Sequence, residues 1–325
     1  MNITEYMKQN ILILDGGMGT LLQQRGLPAG SRPELFNITH SSVVKDIHKA
    51  YFDAGSNVVN TNTFGANSLN FEAGELEKII FAACENAFAA ARESKSPQPK
   101  FVALDIGPLG RLLKPLGSLD FEEAVSVFAE TVKAGCRCGV DLIMIETVSD
   151  CYETKAALLA AKENCDLPVF VSNAYGEDGK LMTGADAAAM VAMLEGMGAD
   201  AIGVNCSFGP DRLAPVVRDY LKYAEVPVIM KANAGLPHDE NGKTVYDIDA
   251  GEFTRQTKEL VLEGVRIAGG CCGTTPEYIR TLTESLVGVP LKPIDKKNFT
   301  CVSSYTKAVF FSEKDFTNPF FWFII

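Results

Sequence analysis

The sequence predicts an α/β fold, a single (β/α)8 TIM barrel, and three observations point there. Eight short β-branched apolar runs recur between residue 11 and about residue 290, each followed by a Gly- or Asn-bearing loop and then an amphipathic helix. The runs are nearly continuous in apolar character, as expected of parallel strands packed inside and covered outside. In YFDAGSN, GMGAD and LEGVR a helix stops at Gly just before the next run, the usual left-handed C-cap. Eight strand–helix units suit a closed barrel. A doubly wound open sheet is the alternative, but it would more naturally carry a GxGxxG turn, and DGGMGT at 15–20 lacks that spacing.

In chain order the predicted strands are ILILD (11–15), NVVNT (57–61), FVALD (101–105), DLIMIE (141–146), PVFVS (168–172), DAIGVN (200–205), PVIMKA (227–232) and GVRIAG (264–269). Helical spacing joins them: over 42–54, Val43, Val44, Ile47, Ala50, Tyr51 and Ala54 recur on one face. Proline and polar residues rise after Leu286, in VGVPLKPIDKKNFT, which reads as the exit from the barrel. The expected division is a barrel over 1–295 and a linker-like tail over 296–325. The tail closes on PFFWFII, apolar but far too short to cross a bilayer.

With 325 residues, 47% hydrophobic and 22% charged, the chain has a globular balance and can bury a large core without staples. A formal net charge of −11 argues against nucleic acid or an anionic membrane as partner, since both demand a basic footprint. The start, MNITEYMKQN, carries no secretory signal, and nine cysteines are an odd number. Reduced thiols in a soluble cytoplasmic protein are therefore expected.

Sites in a barrel of this kind are built on the loops that follow the strands. Cysteine appears in those loops at Cys206, after the sixth strand, and at Cys271 and Cys272, after the eighth. The other six (Cys84, Cys136, Cys138, Cys151, Cys165 and Cys301) fall in helices, helix ends or the tail. Three thiolates suit tetrahedral zinc and leave one position open, as in a catalytic site. Such an electron-rich set is poor at making hydroxide but suited to binding another thiol and keeping it nucleophilic. The other readings stand beside this one. Adjacent cysteines also form vicinal disulfides or redox dithiols, and a lone buried Cys is usually a small hydrophobe.

Asp15 and Glu146 end the first and fourth strands. Strand-terminal acids commonly cap a helix or pair with a surface lysine; facing a metal, two of them suit a substrate ammonium. Residues 16–19, including Gly17 and Met18, offer backbone N–H groups at a helix start, suited to a carboxylate. Together these describe a sulfur amino acid. Asn62, Asn173, Asn205 and Asn233 also end strands, where such amides mostly satisfy loop backbone, and Asp105 is equally open to a purely local role. None of His40, His48 and His238 shares the rim with the cysteines.

DGGMGT at 15–20, IHKAYFDAGSNVVNTNTFGAN at 47–67, ETVSD at 146–150, GVNCS at 203–207 and GGCCGT at 269–274 carry a resemblance. The sequence resembles the homocysteine S-methyltransferase family over most of residues 10–290. That likeness implies a (β/α)8 barrel, Zn2+ on Cys206, Cys271 and Cys272, and homocysteine thiolate as nucleophile. It further implies that Asp15 and Glu146 hold the amino group, that the Gly17 and Met18 backbone meets the carboxylate, and that Asn233 approaches the metal when substrate is absent. Within the family the chain looks most like the N-terminal homocysteine-binding module of cobalamin-dependent methionine synthases, and VSSYTKAV at 302–309 is similar to the linker that follows it. Where a pterin-binding barrel follows in that branch, this sequence runs into FFSEKDFTNPFFWFII, so cobalamin- and folate-binding modules or chains are the implied partners. The betaine-using branch resembles it less, because its donor is caged by aromatics including Trp and the one Trp here is Trp322.

The expected reaction is methyl transfer to homocysteine giving methionine, with methylcobalamin on a separate module or chain as donor. The alternatives are a stand-alone enzyme using S-methylmethionine or another small onium donor, a non-catalytic fragment that holds zinc and homocysteine, and a redox barrel with Cys271 and Cys272 as its dithiol.

Overall fold

A computed structural model describes residues 2–311 apart from 29, 241 and 242; the PFFWFII end, with Trp322, lies outside the described residues. Eight parallel strands form one sheet: β1 (Leu12–Ile13), β2 (Val58–Asn60), β3 (Phe101–Ile106), β4 (Leu142–Val148), β5 (Val169–Asn173), β6 (Ala201–Asn205), β7 (Val228–Ala232) and β8 (Ile267–Gly270). Each lies inside a run that the sequence pattern marks as strand, or overlaps it by all but one or two residues. Neighbours pair in chain order from β2 to β8, and β8 pairs on to β1. The ring is drawn shut between β1 and β2 by Asn57. Its backbone N–H donates to Ile13 O at 2.7 Å, and the Ile13 N–H donates to Asn57 Oδ1 at 3.0 Å. A side-chain amide thus replaces part of a strand ladder where both strands are short.

The strands alternate faces with period two. Outward residues such as Val59, Val102, Ile143, Val171, Ile202 and Met230 pack under the helices. Inward residues Leu12, Val58, Phe101, Ala103, Leu142, Met144, Phe170, Ala201, Ile229 and Ile267 fill the barrel. The short N-terminal helix Ile3–Met7 plugs the lower end with Ile3 and Met7. Both faces are buried, which is why the runs read as continuous rather than alternating.

Helices over Ser41–Asp53, Ala73–Glu93, Phe121–Cys138, Cys151–Asn164, Ala187–Gly196, Pro210–Tyr223, Ala250–Glu263 and Pro276–Ser285 make the outer shell. The helix at 41–53 buries Val44, Ile47 and Tyr51, on the face its spacing marks. It ends at Gly55 with φ of 109°, a conformation a side chain would strain. No helix among the described residues is long and apolar enough to cross a membrane.

Two antiparallel hairpins escape the sequence pattern: Pro237–Glu240 with Lys243–Tyr246 after β7, and Thr300–Ser303 with Ala308–Phe311. The reason is exposure, since Pro237–Glu240 is exposed throughout and Thr300–Ser303 is only half-buried at alternate residues. The second hairpin lies in the stretch read as linker-like. It docks on the helical shell, where the Tyr305 hydroxyl donates to Asp150 Oδ1 at 2.9 Å and its ring stands 4.3 Å from that of Tyr152.

Candidate metal centre

The upper ends of the strands surround a cavity of about 290 Å³, lined by the β1, β2, β3, β4, β6, β7 and β8 termini. Cys206, Cys271 and Cys272 stand at one side with their three sulfurs within 4.8 Å of one another. The other six cysteines lie elsewhere, and among the described residues all nine are free thiols.

Local backbone makes this convergence. Cys206 and Ser207 adopt φ values of 59° and 61°, a left-handed turn costing about 1–2 kcal/mol per non-glycine residue. The turn is pinned because the Cys206 N–H donates to Lys231 O at 3.0 Å and the Phe208 N–H returns to Cys206 O at 2.7 Å. The Cys271 N–H donates to Ala232 O at 2.7 Å, and the Cys272 N–H to Asn233 Oδ1 at 3.0 Å. Asn233 is thereby a brace for the β8 turn. Asn205 braces the centre from below: its Oδ1 accepts from the Thr147 N–H and the Ser172 hydroxyl, and its Nδ2 approaches Cys271 Sγ at 3.9 Å.

Three thiols this close share protons among themselves. The Cys271 and Cys272 thiols donate to Cys206 and hold it well below the usual thiol range, while that same contact drives Cys272 upward. A divalent ion relieves this by ionising all three. Tetrahedral zinc with bonds of about 2.3 Å spaces its sulfurs about 3.8 Å apart, inside the limit found here, so the residues fit that ion. The Tyr246 ring, from the hairpin after β7, lies against Gly273 beside the cysteines.

Asp15 and Glu146 both reach the cavity and are buried, at 1% and 5% exposure. Glu146 is aimed by an irregularity of β4, where register shifts between Ile145 and Val148 and Thr147 takes φ of 64°. Asp15 is aimed by β2, whose Asn60 N–H donates to Asp15 Oδ2 at 2.9 Å. A third group stands between them. Lys231 Nζ donates to Glu146 Oε2 at 3.0 Å and lies 3.6 Å from Asp15 Oδ1, with its side chain 4% exposed. Burial opposes the lysine charge, but Glu146 and Asp15 outweigh it and hold the ammonium well above its ordinary value. Burial pushes the Asp15 carboxyl up to about 7 against the pull of Lys231. Asp105 is driven well above the carboxylate range by burial and by Glu146.

Lys231 and Asn60 are absent from the residues singled out by sequence. A signal for the lysine was present: it is the one charge inside the apolar run PVIMKA, two residues beyond inward-facing Ile229. At the helix start, a Cβ on Gly17 would stand 2.8 Å from Cys271 O, closer than side chains approach a backbone carbonyl, so no side chain fits. The Gly17 N–H is committed to Thr274 O and Oγ1, each at 3.2 Å. The amides from Met18 onward open the helix Met18–Gln24 and have no carbonyl within it to bind. Asn62 ties loops together, its Nδ2 donating to Pro33 O at 2.8 Å, while Asn173 is buried beneath the rim, donating to Val148 O at 2.9 Å.

An eight-stranded parallel barrel with three thiols and buried acids at its carboxyl rim belongs to the (β/α)8 class of barrels. The homocysteine S-methyltransferase family model matches residues 12–286, and the chain belongs to that family. It is 31% identical over 304 residues to the methionine synthase of Mycobacterium leprae, covering 88% of this chain and 25% of that protein. The methionine synthase of Mycobacterium tuberculosis is 30% identical, with 96% of this chain and 28% of that protein covered. The chain thus spans about a quarter of the length of these curated relatives. Among solved structures, the metallated homocysteine methyltransferase MmuM of Escherichia coli superposes with a TM-score of 0.72 at 21% identity, covering 87% of this chain and 99% of that one. Its apo form gives 0.67 at 22% identity, with 85% and 96% covered. At that identity the likeness is one of fold.

Proposed function

We propose that the chain binds zinc on Cys206, Cys271 and Cys272, binds homocysteine beside it, and presents the substrate sulfur for methylation to methionine. The convergence of three sulfurs from two loops 65 residues apart carries this reading, because nothing in the fold requires them to meet. A zinc ion held there supplies Lewis acidity to an incoming thiol, lowering its pKa while leaving it nucleophilic.

The remaining work belongs to the chain itself. The acid-lined side of the cavity takes the ammonium and the helix start at Met18 takes the carboxylate, so the amino acid is fixed at two points and its sulfur end is directed to the cysteines. Asn205 and Asn233 hold the two cysteine loops in place during turnover. The thiol proton passes out through the carboxyl-lined mouth of the cavity to solvent.

The donor we favour is methylcobalamin carried by a separate module or chain, supported by the relatives named methionine synthase and by their greater length. Cobalamin- and folate-binding modules are then the partners, and a reducing cytoplasm is the compartment that keeps the triad metallable. The test is metal content of the reduced protein with X-ray absorption to count sulfur neighbours. One zinc per chain with three sulfurs, rising to four on adding homocysteine, is expected. An unchanged count would end the proposal. Assays with free methylcobalamin and with S-methylmethionine then identify the donor; robust turnover on the onium compound alone would replace cobalamin.

A further inference from the structure

Glu146 Oε2 already has two donors: the Lys231 ammonium at 3.0 Å and Asn60 Nδ2 at 3.0 Å. The second contact also orients the Asn60 amide, since its NH2 must face the carboxylate and its oxygen must face away. Three acceptor oxygens of lining residues are buried without a hydrogen bond: Asn60 Oδ1, Asp105 Oδ1 and Asp15 Oδ1, the last of which has only the Lys231 ammonium at 3.6 Å. Leaving a buried acceptor unsatisfied is costly, and three in one cavity call for a common donor.

Asp105 is not serving the local backbone. Its N–H is taken by Thr61 Oγ1 at 3.1 Å and its carbonyl by Thr63 Oγ1 at 2.7 Å, so the strand end is fixed by threonines and the carboxylate is left over. It is 6% exposed, and Asn60 is 5% exposed. Period two places both on the inward face, Asn60 two residues after Val58 and Asp105 two after Ala103. Three carboxyl groups of the lining, Asp15, Asp105 and Glu146, share the single lining cation Lys231, and burial favours their protonated forms until a second cation enters.

An ammonium has three N–H donors and one positive charge. We infer that Asp105 and Asn60 join Asp15 as the acceptors of the substrate's α-ammonium, while Lys231 occupies Glu146 as a built-in cation and keeps that carboxylate in a positioning role. The assignment rests on the homocysteine reading above and sharpens it. Recognition of the amino group then depends on a β3 residue outside the pair at the ends of β1 and β4.

The test is calorimetric titration of the zinc-loaded full chain with L-homocysteine and with 4-mercaptobutanoate, which is the same thiol acid without its amino group. Wild type should prefer homocysteine at least about tenfold, the value of one charge-assisted hydrogen bond. Asp105→Asn, nearly isosteric, should lose at least about tenfold in homocysteine affinity and stay within about twofold for 4-mercaptobutanoate. Glu146→Gln should lose less homocysteine affinity than Asp105→Asn does. Zinc content and melting temperature establish that each variant is folded, with Asp105→Ser as the second replacement. Unchanged homocysteine affinity in Asp105→Asn, an equal loss of both ligands, or a larger loss in Glu146→Gln would each overturn the assignment. Wild type binding neither thiol would instead overturn the homocysteine reading, and wild type binding both equally would remove the amino-group site.

Discussion

The lower and upper halves of the barrel interior are built on the same strands two residues apart, yet they do opposite things. Val58, Ala103, Met144 and Ile229 fill the lower half, each with 1% exposure or less. One inward step further along, Asn60, Asp105, Glu146 and Lys231 occupy the upper half and are nearly as buried. Apolar burial below gains roughly 25 cal/mol per Å². Burial of charge above costs free energy unless it is paired, and here the pairing is incomplete. Stability and recognition are thus stacked along one axis, and the period-two geometry that packs the lower layer aims the upper one.

Removing packing from the lower layer should have the largest effect. Phe170→Ala, at a fully buried inward position, is expected to cost about 3–5 kcal/mol in denaturant unfolding while one zinc per chain still binds. Loss of zinc at full folding would show that the layers are not separable. Next comes Lys231→Met in the upper layer. Removing one partner of a buried pair costs about 3 kcal/mol, limited because Asp15 and Glu146 can take up protons instead. A stability equal to wild type would mean that the lysine contributes nothing to the cluster.

A buried acid in the helical shell supplies a control outside the barrel. Glu153 accepts from the Leu109 N–H at 2.6 Å, and burial pushes its carboxyl up to about 7. Its folded pKa therefore lies above the ordinary glutamate value, so the folded state holds the proton more tightly. The stability it contributes is complete below about 4.5 and is lost as pH rises to about 7, an upper bound of about 3 kcal/mol. Glu153→Gln should match wild type at pH 4 and exceed it by about 1–3 kcal/mol at pH 8. No gain at alkaline pH would place the acid in a wetter setting. The smallest stability effect is expected for Cys206→Ser. Compared in chelator, it should unfold within about 1 kcal/mol of wild type, because the thiol sits on a loop at the rim. Zinc binding should nevertheless be lost or severely weakened; full occupancy would exclude Cys206 as a ligand.

Much of the site is legible in the residues. Cys206, Cys271 and Cys272 stand out because cysteine follows strands in those loops alone, and Asp15 and Glu146 because an acid ends an apolar run. Lys231 is harder to see, since one lysine at a strand end usually faces solvent and only the phase set by Ile229 turns it inward. Asn60 hides for the same reason within NVVNT. The two hairpins leave little trace because neither has a well-buried face.

The pattern of residues is enough to specify the barrel, since eight doubly buried strands separated by amphipathic helices leave few other ways to cover every apolar face. It also determined which side chains stand at the carboxyl rim, because strand phase is a local property. Tertiary structure alone decided who meets whom across that rim: that Lys231 takes Glu146, and that Asp15, Asn60 and Asp105 are left facing one cavity. Such pairings depend on ring closure, on the bulge in β4 and on the left-handed turn at Cys206, and these are set by contacts between residues far apart in the chain.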